Sequence, residues 1–384
     1  MVNLEYAEAL LQNVPNEIIV VSDDLFQLLN ITLGRTADKT VIFSGTHYAE
    51  LFRSAGFTVW SGVEPEPSTR TVEKMADFLR ENNPENVVAA GGGSVLDAAK
   101  AAYLLYQTNW PLSDLFGVNR WSSANPGKKL KRMVAIPTTS GTGSEATPYS
   151  NIVDHTAGVK KLIVEDQSVP AIAFCPPAFQ RSMPPALTRA VGCDALAHLI
   201  EGFLNIGADS RHAQANQWAK CGIKLVKNYL LRAIAEPDDA EARRGMLIAS
   251  TLGGMTIRFK STGLPHLCSF SWYGRIAHGE AVALLLPGAW EYYLANPAVA
   301  ERTMELSDIF PGTTPQEVIS SYREFIKSTG LPEKLSAWKE ITPELLERTA
   351  RSGAENRMKL DNAPQPVPLE KSYDILLNIM KKVY

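Results

Sequence analysis

At 384 residues the chain is too long for one ordinary core and fits about two domains of roughly 100–200 residues each. Hydrophobic residues make up 45% and charged residues 21% of it, and the formal net charge is -3, which fits a globular protein and excludes a disordered or fibrous one. Lys and Arg are scattered, and the densest basic run, Lys128 to Arg132, leads straight into an apolar strand pattern, so no nucleic-acid partner is expected.

The N-terminus carries Glu5 and Glu8 where a secretory signal needs basic residues. No apolar run reaches the roughly 18 residues of a membrane span, so neither a membrane anchor nor export is expected. The four cysteines, Cys175, Cys193, Cys221 and Cys268, show no paired spacing, which points to free thiols in a reducing cytoplasm.

In the first half, short β-branched runs alternate with helical patterns. Strands are expected at 18–22, 40–44, 57–60, 86–90 and 133–137, with an amphipathic helix at 68–82 whose Val72, Met75, Phe78 and Leu79 recur at helical spacing. Near-continuous apolar strands separated by helices predict a mostly parallel sheet covered on both faces. After about residue 185 strand-like runs largely vanish, and helical patterns such as 213–234 and 371–382 follow to the end. The fold class expected is therefore α/β over 1–183, a mostly parallel dinucleotide-binding domain, followed by an all-helical metal-binding and catalytic domain over 184–384. Pro184 and Pro185 suit a linker and the first turn of the next helix.

The strand at 86–90 runs into Gly91-Gly92-Gly93-Ser94 and then a helix expected from near Val95. Glycines there let backbone amides approach an anion, and the helix N-terminus adds unpaired N–H groups. A tight strand-to-helix turn explains the same residues equally well. A second small-residue loop, Pro137 to Glu145, follows another strand with five hydroxyls and two glycines, and it too reads either as a ribose and phosphate site or as a solvent-facing turn. Two such loops at the C-terminal ends of parallel strands favour a single ligand crevice.

The chain has six histidines. Asp194 and His198 are four apart on one apolar helix pattern, so a carboxylate and an imidazole project together, and His266 and His278 follow. An aspartate with three imidazoles is a ligand set for a borderline divalent metal, whereas a lone Asp–His pair reads as a helix-surface hydrogen bond. His47, His155 and His212 have no such neighbours and are assigned no role.

Four motifs, GGGSVLDAAK at 91–100, PTTSGTGSEAT at 137–147, GCDALAHLIEGF at 192–203 and AHGEAVALLLP at 277–287, resemble the iron-dependent, or group III, alcohol dehydrogenases, relatives of glycerol dehydrogenase and dehydroquinate synthase. The resemblance implies a two-domain enzyme, expected as a homo-oligomer and specifically a dimer, with cofactor and metal in a cleft between the halves. It places Gly92, Gly93 and Ser94 on a pyrophosphate, Asp97 near the nicotinamide, Thr138, Thr139 and Thr142 along the adenosine side, and Lys160 at a ribose. Asp194, His198, His266 and His278 match the metal-ligand and catalytic positions. Fe2+ is the metal implied, and Zn2+ or Ni2+ suit the same donors.

This chain departs from the family pattern at three places. The spacing between His266 and His278 is slightly shorter than usual, which brings Cys268 in as the rival third ligand. Phe270 stands where relatives carry a histidine that helps relay a proton, so the proton is expected to come from water or the ribose hydroxyls. Gly45 stands where NAD-preferring relatives tend to have an aspartate, which removes repulsion against a 2′-phosphate and allows NADP as well as NAD. Phe270 and Trp272 are expected to form an apolar substrate wall. The function expected is hydride transfer between NAD(P)(H) and a small alcohol/aldehyde pair. The alternatives are a dehydroquinate-synthase-like cyclase that retains NAD, suggested by HGEAVA at 278–283, and a nucleotide-binding protein without catalysis.

Overall fold

The computed structural model describes residues 2–21, 24–34, 36–130 and 132–384; Ser22 of the first expected strand and Lys131 of the basic run lie outside the described residues. The chain divides into two compact units, Leu11–Arg181 and the segment up to Leu10 together with Ser182–Tyr384. Helix α1 (Leu4–Leu10) thus belongs with the C-terminal half.

The strands are β1 (Glu17–Val20), β2 (Thr40–Ser44), β3 (Thr58–Ser61), β4 (Asn86–Gly91), β5 (Gly117–Val118), β6 (Met133–Pro137), β7 (Tyr149–Asp154), β8 (Val159–Val164) and β9 (Ile172–Cys175). Six of them form one sheet in the order β1-β9-β6-β4-β2-β3, and every neighbouring pair in it is parallel. Around it lie α2 (Leu25–Thr32), α3 (Thr46–Ser54), α4 (Thr69–Asn82), α5 (Gly93–Tyr106) and the short α6 (Arg120–Ala124). The period-2 alternation of strand side chains divides the core in two. Val41, Phe43, Val87, Ala89 and Ala135 pack with Val72, Met75 and Leu79 of α4 and the apolar residues of α5. Ile42, Val88, Ala90, Val134 and Ile136 pack with Leu25 and Leu29 of α2 and Phe52 of α3. Both faces are covered, as continuous apolar strands require.

The helix expected at 68–82 forms as α4, with Ser68 as its N-cap accepting from the Thr71 amide and left-handed Asn83 at its end. Helix α5 starts at Gly93, two residues before the expected start near Val95, because Gly92 itself caps it. Four strands were not foreseen. Four-residue β9 completes the central sheet, while β7 and β8 form an antiparallel hairpin that pairs with β5 in a second sheet.

The C-terminal half is helical: α7 (Pro185–Leu204), α8 (Asp209–His212), α9 (Gln214–Ala235), α10 (Ala240–Lys260), α11 (Leu264–Ser269), α12 (His278–Tyr293), α13 (Pro297–Met304), α14 (Pro315–Ser328), α15 (Pro343–Gly353), α16 (Arg357–Asp361) and α17 (Ser372–Lys381). Pro185 occupies the first turn of α7, where its missing N–H costs nothing. From Gly192 to Leu204 every residue of α7 is buried, so Asp194, His198 and Glu201 must find polar partners inside the unit.

Candidate active site

Asp194, His198 and Glu201 follow one another at helical spacing on α7. Against this stripe α11 brings His266, its third residue, and α12 brings His278, its first. The approach of α12 depends on Gly279. A Cβ at that position would run into the Ala190 carbonyl and lie 2.8 Å from Asp194 Cβ, so only glycine lets His278 reach Asp194. The largely buried ion pair between Arg189 of α7 and Glu280 of α12, at 2.7 Å, clamps the same junction.

Asp194 Oδ1 is the focus. It lies 3.6 Å from His198 Nε2, 3.6 Å from His266 Nε2 and 3.7 Å from His278 Nε2. Ligand atoms of Asp194, His266 and His278 all fall within 4.8 Å of one another, and the His198 ring stacks on that of His266 at 4.7 Å. Asp194 Oδ1 and His266 Nε2 are buried and have no hydrogen-bond partner. Burial alone would raise the Asp194 carboxyl, but His198, His266 and His278 outweigh it and hold the group well below the usual carboxylate range. Burial works the other way on His266, yet Glu201 and Asp194 push it up to about 9. An N3O cluster with inward-facing bare donor atoms fits a divalent cation.

The short His266–His278 connection does not displace His266. A 3-10 turn at Phe270–Trp272 and left-handed Gly274 complete the link between α11 and α12. Cys268 is buried in the same helix, and burial, reinforced by Glu201, pushes its thiol up to about 12, which disfavours a thiolate ligand. Phe270 is half-buried and stacks on His278. Trp272 corrects the expected substrate wall: it is 1% exposed, and its Nε1 donates to Thr349 Oγ1 at 2.9 Å, so it is a core residue. Glu201 was missed from the sequence, although its position three residues after His198 on the same helix face was a usable signal.

In the Leu11–Arg181 unit the two small-residue loops meet. Thr138 N donates to Gly91 O at 3.0 Å, a Cβ on Gly92 would lie 3.1 Å from Thr139 Cγ2, and one on Gly93 would lie 2.5 Å from Thr142 Cγ2. Close packing of the loops is thus a second reason for these glycines. Asp97 ties the assembly together, accepting from Ser144 Oγ at 2.6 Å and from the Asn151 amide at 2.9 Å. Ser94 Oγ accepts from the Glu66 amide, and the Glu66 carboxylate pairs with Lys160 Nζ at 2.6 Å, which brings Lys160 beside the glycine turn. Gly45 follows β2 directly and caps α3, and its amide donates to Ala90 O on β4, so it adjoins the same strand ends.

A parallel α/β unit with such loops, and a helical unit with a carboxylate–imidazole cluster, define the class of a metal-dependent, dinucleotide-dependent oxidoreductase. Residues 31–177 match the family model for iron-containing alcohol dehydrogenase, and residues 188–382 match that for the C-terminal part of the Fe-containing alcohol dehydrogenase family. The chain is 30% identical over 327 residues to long-chain-alcohol dehydrogenase 1 of Geobacillus thermodenitrificans, covering 82% of this chain and 80% of that one. It is 34% identical over 250 residues to aldehyde-alcohol dehydrogenase 2 of Entamoeba histolytica, covering 62% of this chain but only 28% of that longer protein. Among solved structures it is similar to the NAD+ complex of sulfoacetaldehyde reductase from Bifidobacterium kashiwanohense, at 26% identity and a TM-score of 0.79 over 96% of this chain and 97% of that one. The chain belongs to the iron-containing alcohol dehydrogenase family. That membership favours the oxidoreductase over both the cyclase and the non-catalytic alternative.

Proposed function

We propose that this protein interconverts a small alcohol and its aldehyde using NADP(H) or NAD(H), with a divalent metal held by Asp194, His198, His266 and His278. The supporting observation is the convergence of those four side chains around two buried donor atoms that lack hydrogen bonds. Each such atom costs about 1–3 kcal/mol when left unmade, and one cation satisfies both. Fe2+ follows from the family, while the donor set admits Zn2+ or Ni2+.

When bound, the metal supplies Lewis-acid polarisation of a substrate oxygen and the nicotinamide supplies or takes a hydride. The chain's own residues do the rest. Gly92, Gly93 and Ser94 present the amides of the first turn of α5, which have no intrahelical acceptor, to a pyrophosphate. Thr138, Thr139 and Thr142 with Lys160 line the nucleotide, and Asp97 holds the second loop in place. Phe270 shields one side of His278 and carries no proton, so the proton is exchanged with water or the ribose hydroxyls. All four cysteines are buried and stand outside any disulfide, which supports a reducing cytoplasm. The homodimer belongs to this reading too, and light scattering of the purified protein checks it.

Metal content and aldehyde-dependent oxidation of reduced cofactor test the proposal together. Asp194→Ala, His198→Ala and His266→Ala should each lose metal and cut turnover about a thousandfold, the equivalent of several kcal/mol of Lewis-acid stabilisation. Cys268→Ala should retain both. Full activity in all three ligand variants would leave a metal-free reductase as the better reading.

A further inference from the structure

Two of the three ligand histidines, His266 and His278, turn their second ring nitrogen to a side-chain partner. Glu201, 2% exposed, places Oε1 2.5 Å from His266 Nδ1, while its Oε2 accepts from the Gly263 amide at 2.6 Å. A carboxylate acceptor keeps a proton on Nδ1, so Nε2, the nitrogen facing Asp194, is the one that can give up its proton to a cation. Ser269 repeats the logic at His278. Its hydroxyl donates to His266 O at 2.9 Å, so in its 3.1 Å contact with His278 Nδ1 the imidazole is the donor and Nε2 again faces Asp194.

Glu201 does more than orient a ring. The segment leading into α11 is held from a second direction by buried Lys359, whose Nζ donates to Thr262 O at 2.8 Å and Thr262 Oγ1 at 2.7 Å, beside Ser261 with a left-handed φ of 61°. Glu201 grips Gly263 immediately after it, three residues before His266. With neutral imidazoles, Asp194 and Glu201 also supply the two negative charges that balance a divalent cation.

We propose that Glu201 is a positioning residue for the metal: through the His266 tautomer, the Gly263 amide and its own charge, it sets how tightly a divalent cation is held at Asp194, His198, His266 and His278. The proposal rests on the metal-holding reading above. The test is Zn2+ titration of the metal-free full-length protein against a competing chelator, for the parent and Glu201→Gln, with thermal melting of each metal-free form alongside. The glutamine oxygen can accept from His266 or from Gly263 but not from both, and it carries no charge, so Zn2+ affinity should fall about 10–100-fold. A parent that binds no Zn2+ sinks the metal-holding reading and this inference with it. A parent that binds, with a folded Glu201→Gln that binds equally well, sinks this inference alone. The parent gives an independent reading should the variant not fold: in the Zn2+-loaded protein with 15N-labelled histidine, His266 should show a protonated Nδ1 and a metal-bound Nε2, and metal on Nδ1 overturns the proposal.

Discussion

Gly45 has a φ of −58° and a ψ of 147°, an extended conformation open to any residue, and a Cβ built on it comes no nearer than 4.0 Å to the Ala90 carbonyl. Its identity is therefore set by neither strain nor crowding. As the N-cap of α3 it would suit aspartate, which accepts from first-turn amides. Gly45→Asp should keep or raise the melting temperature and move the kcat/KM ratio from NADPH toward NADH, since a carboxylate there repels a 2′-phosphate. An unchanged ratio would remove Gly45 from the specificity site. Gly279 is the opposite case: its missing side chain is the space α12 uses to reach α7, so Gly279→Ala should lower stability by about 1–3 kcal/mol and weaken metal binding by moving His278. Asp194 and His198 stood out in the sequence because polar residues on an apolar helix pattern demand a partner, and His266 and His278 through the family resemblance of the motifs around them. Gly279 did not, since a glycine's neighbours exist only once helices pack, and the spacing of Glu201 from His198 signalled a shared face but not the His266 and Gly263 partners it meets.

Helix α12 runs through Pro287, which has no N–H to give to the Ala283 carbonyl four residues back. The orphaned carbonyl is met from α14, where Tyr322 donates its hydroxyl to Ala283 O at 3.1 Å. Tyr322→Phe should therefore cost about 1–3 kcal/mol in denaturant unfolding, the penalty of a buried acceptor left bare, with turnover nearly unchanged. A loss much below that would mean the carbonyl finds another donor. In the other half, α5 is joined to the second loop by Lys100, fully buried and pushed down by that burial, whose Nζ donates to the Ser144, Thr147 and Tyr149 carbonyls. Helices and long apolar strands were legible because their periodicity is local. Six-residue β8 was not, because its VKKLIV carries two lysines and only Ile163 of it is buried, and β9 was not, because its IAFC holds a single β-branched residue and gains its place from the strands beside it.

At the scale of the whole chain, the two chemical tasks are divided: every candidate metal ligand, with Glu201, lies in Ser182–Tyr384, and every candidate nucleotide residue lies in Leu11–Arg181. Sequence reading placed that change of texture near Pro185 because strand patterns stop there, while nothing in LEYAEAL reveals that α1 belongs with the distant helices; Glu8 reaches Arg244 at the end of a separation no local pattern spans. The division makes a prediction about ligand-induced protection. A ligand that binds only the folded state stabilises it by about 2.7 kcal/mol at a hundred times its Kd, and local opening is suppressed most where the ligand's own contacts must break. Hydrogen exchange followed by mass spectrometry should therefore show Zn2+ slowing the peptides that contain His198, Gly263 and His278, where the Gly263 amide reports directly on Glu201. NADPH alone should slow those spanning Gly91 to Val95 and Thr138 to Ser144. Zn2+ protection that falls on the glycine loops and spares the histidine segments would mean that the cation is held by the nucleotide loops, and the assignment of Asp194, His198, His266 and His278 would have to be withdrawn.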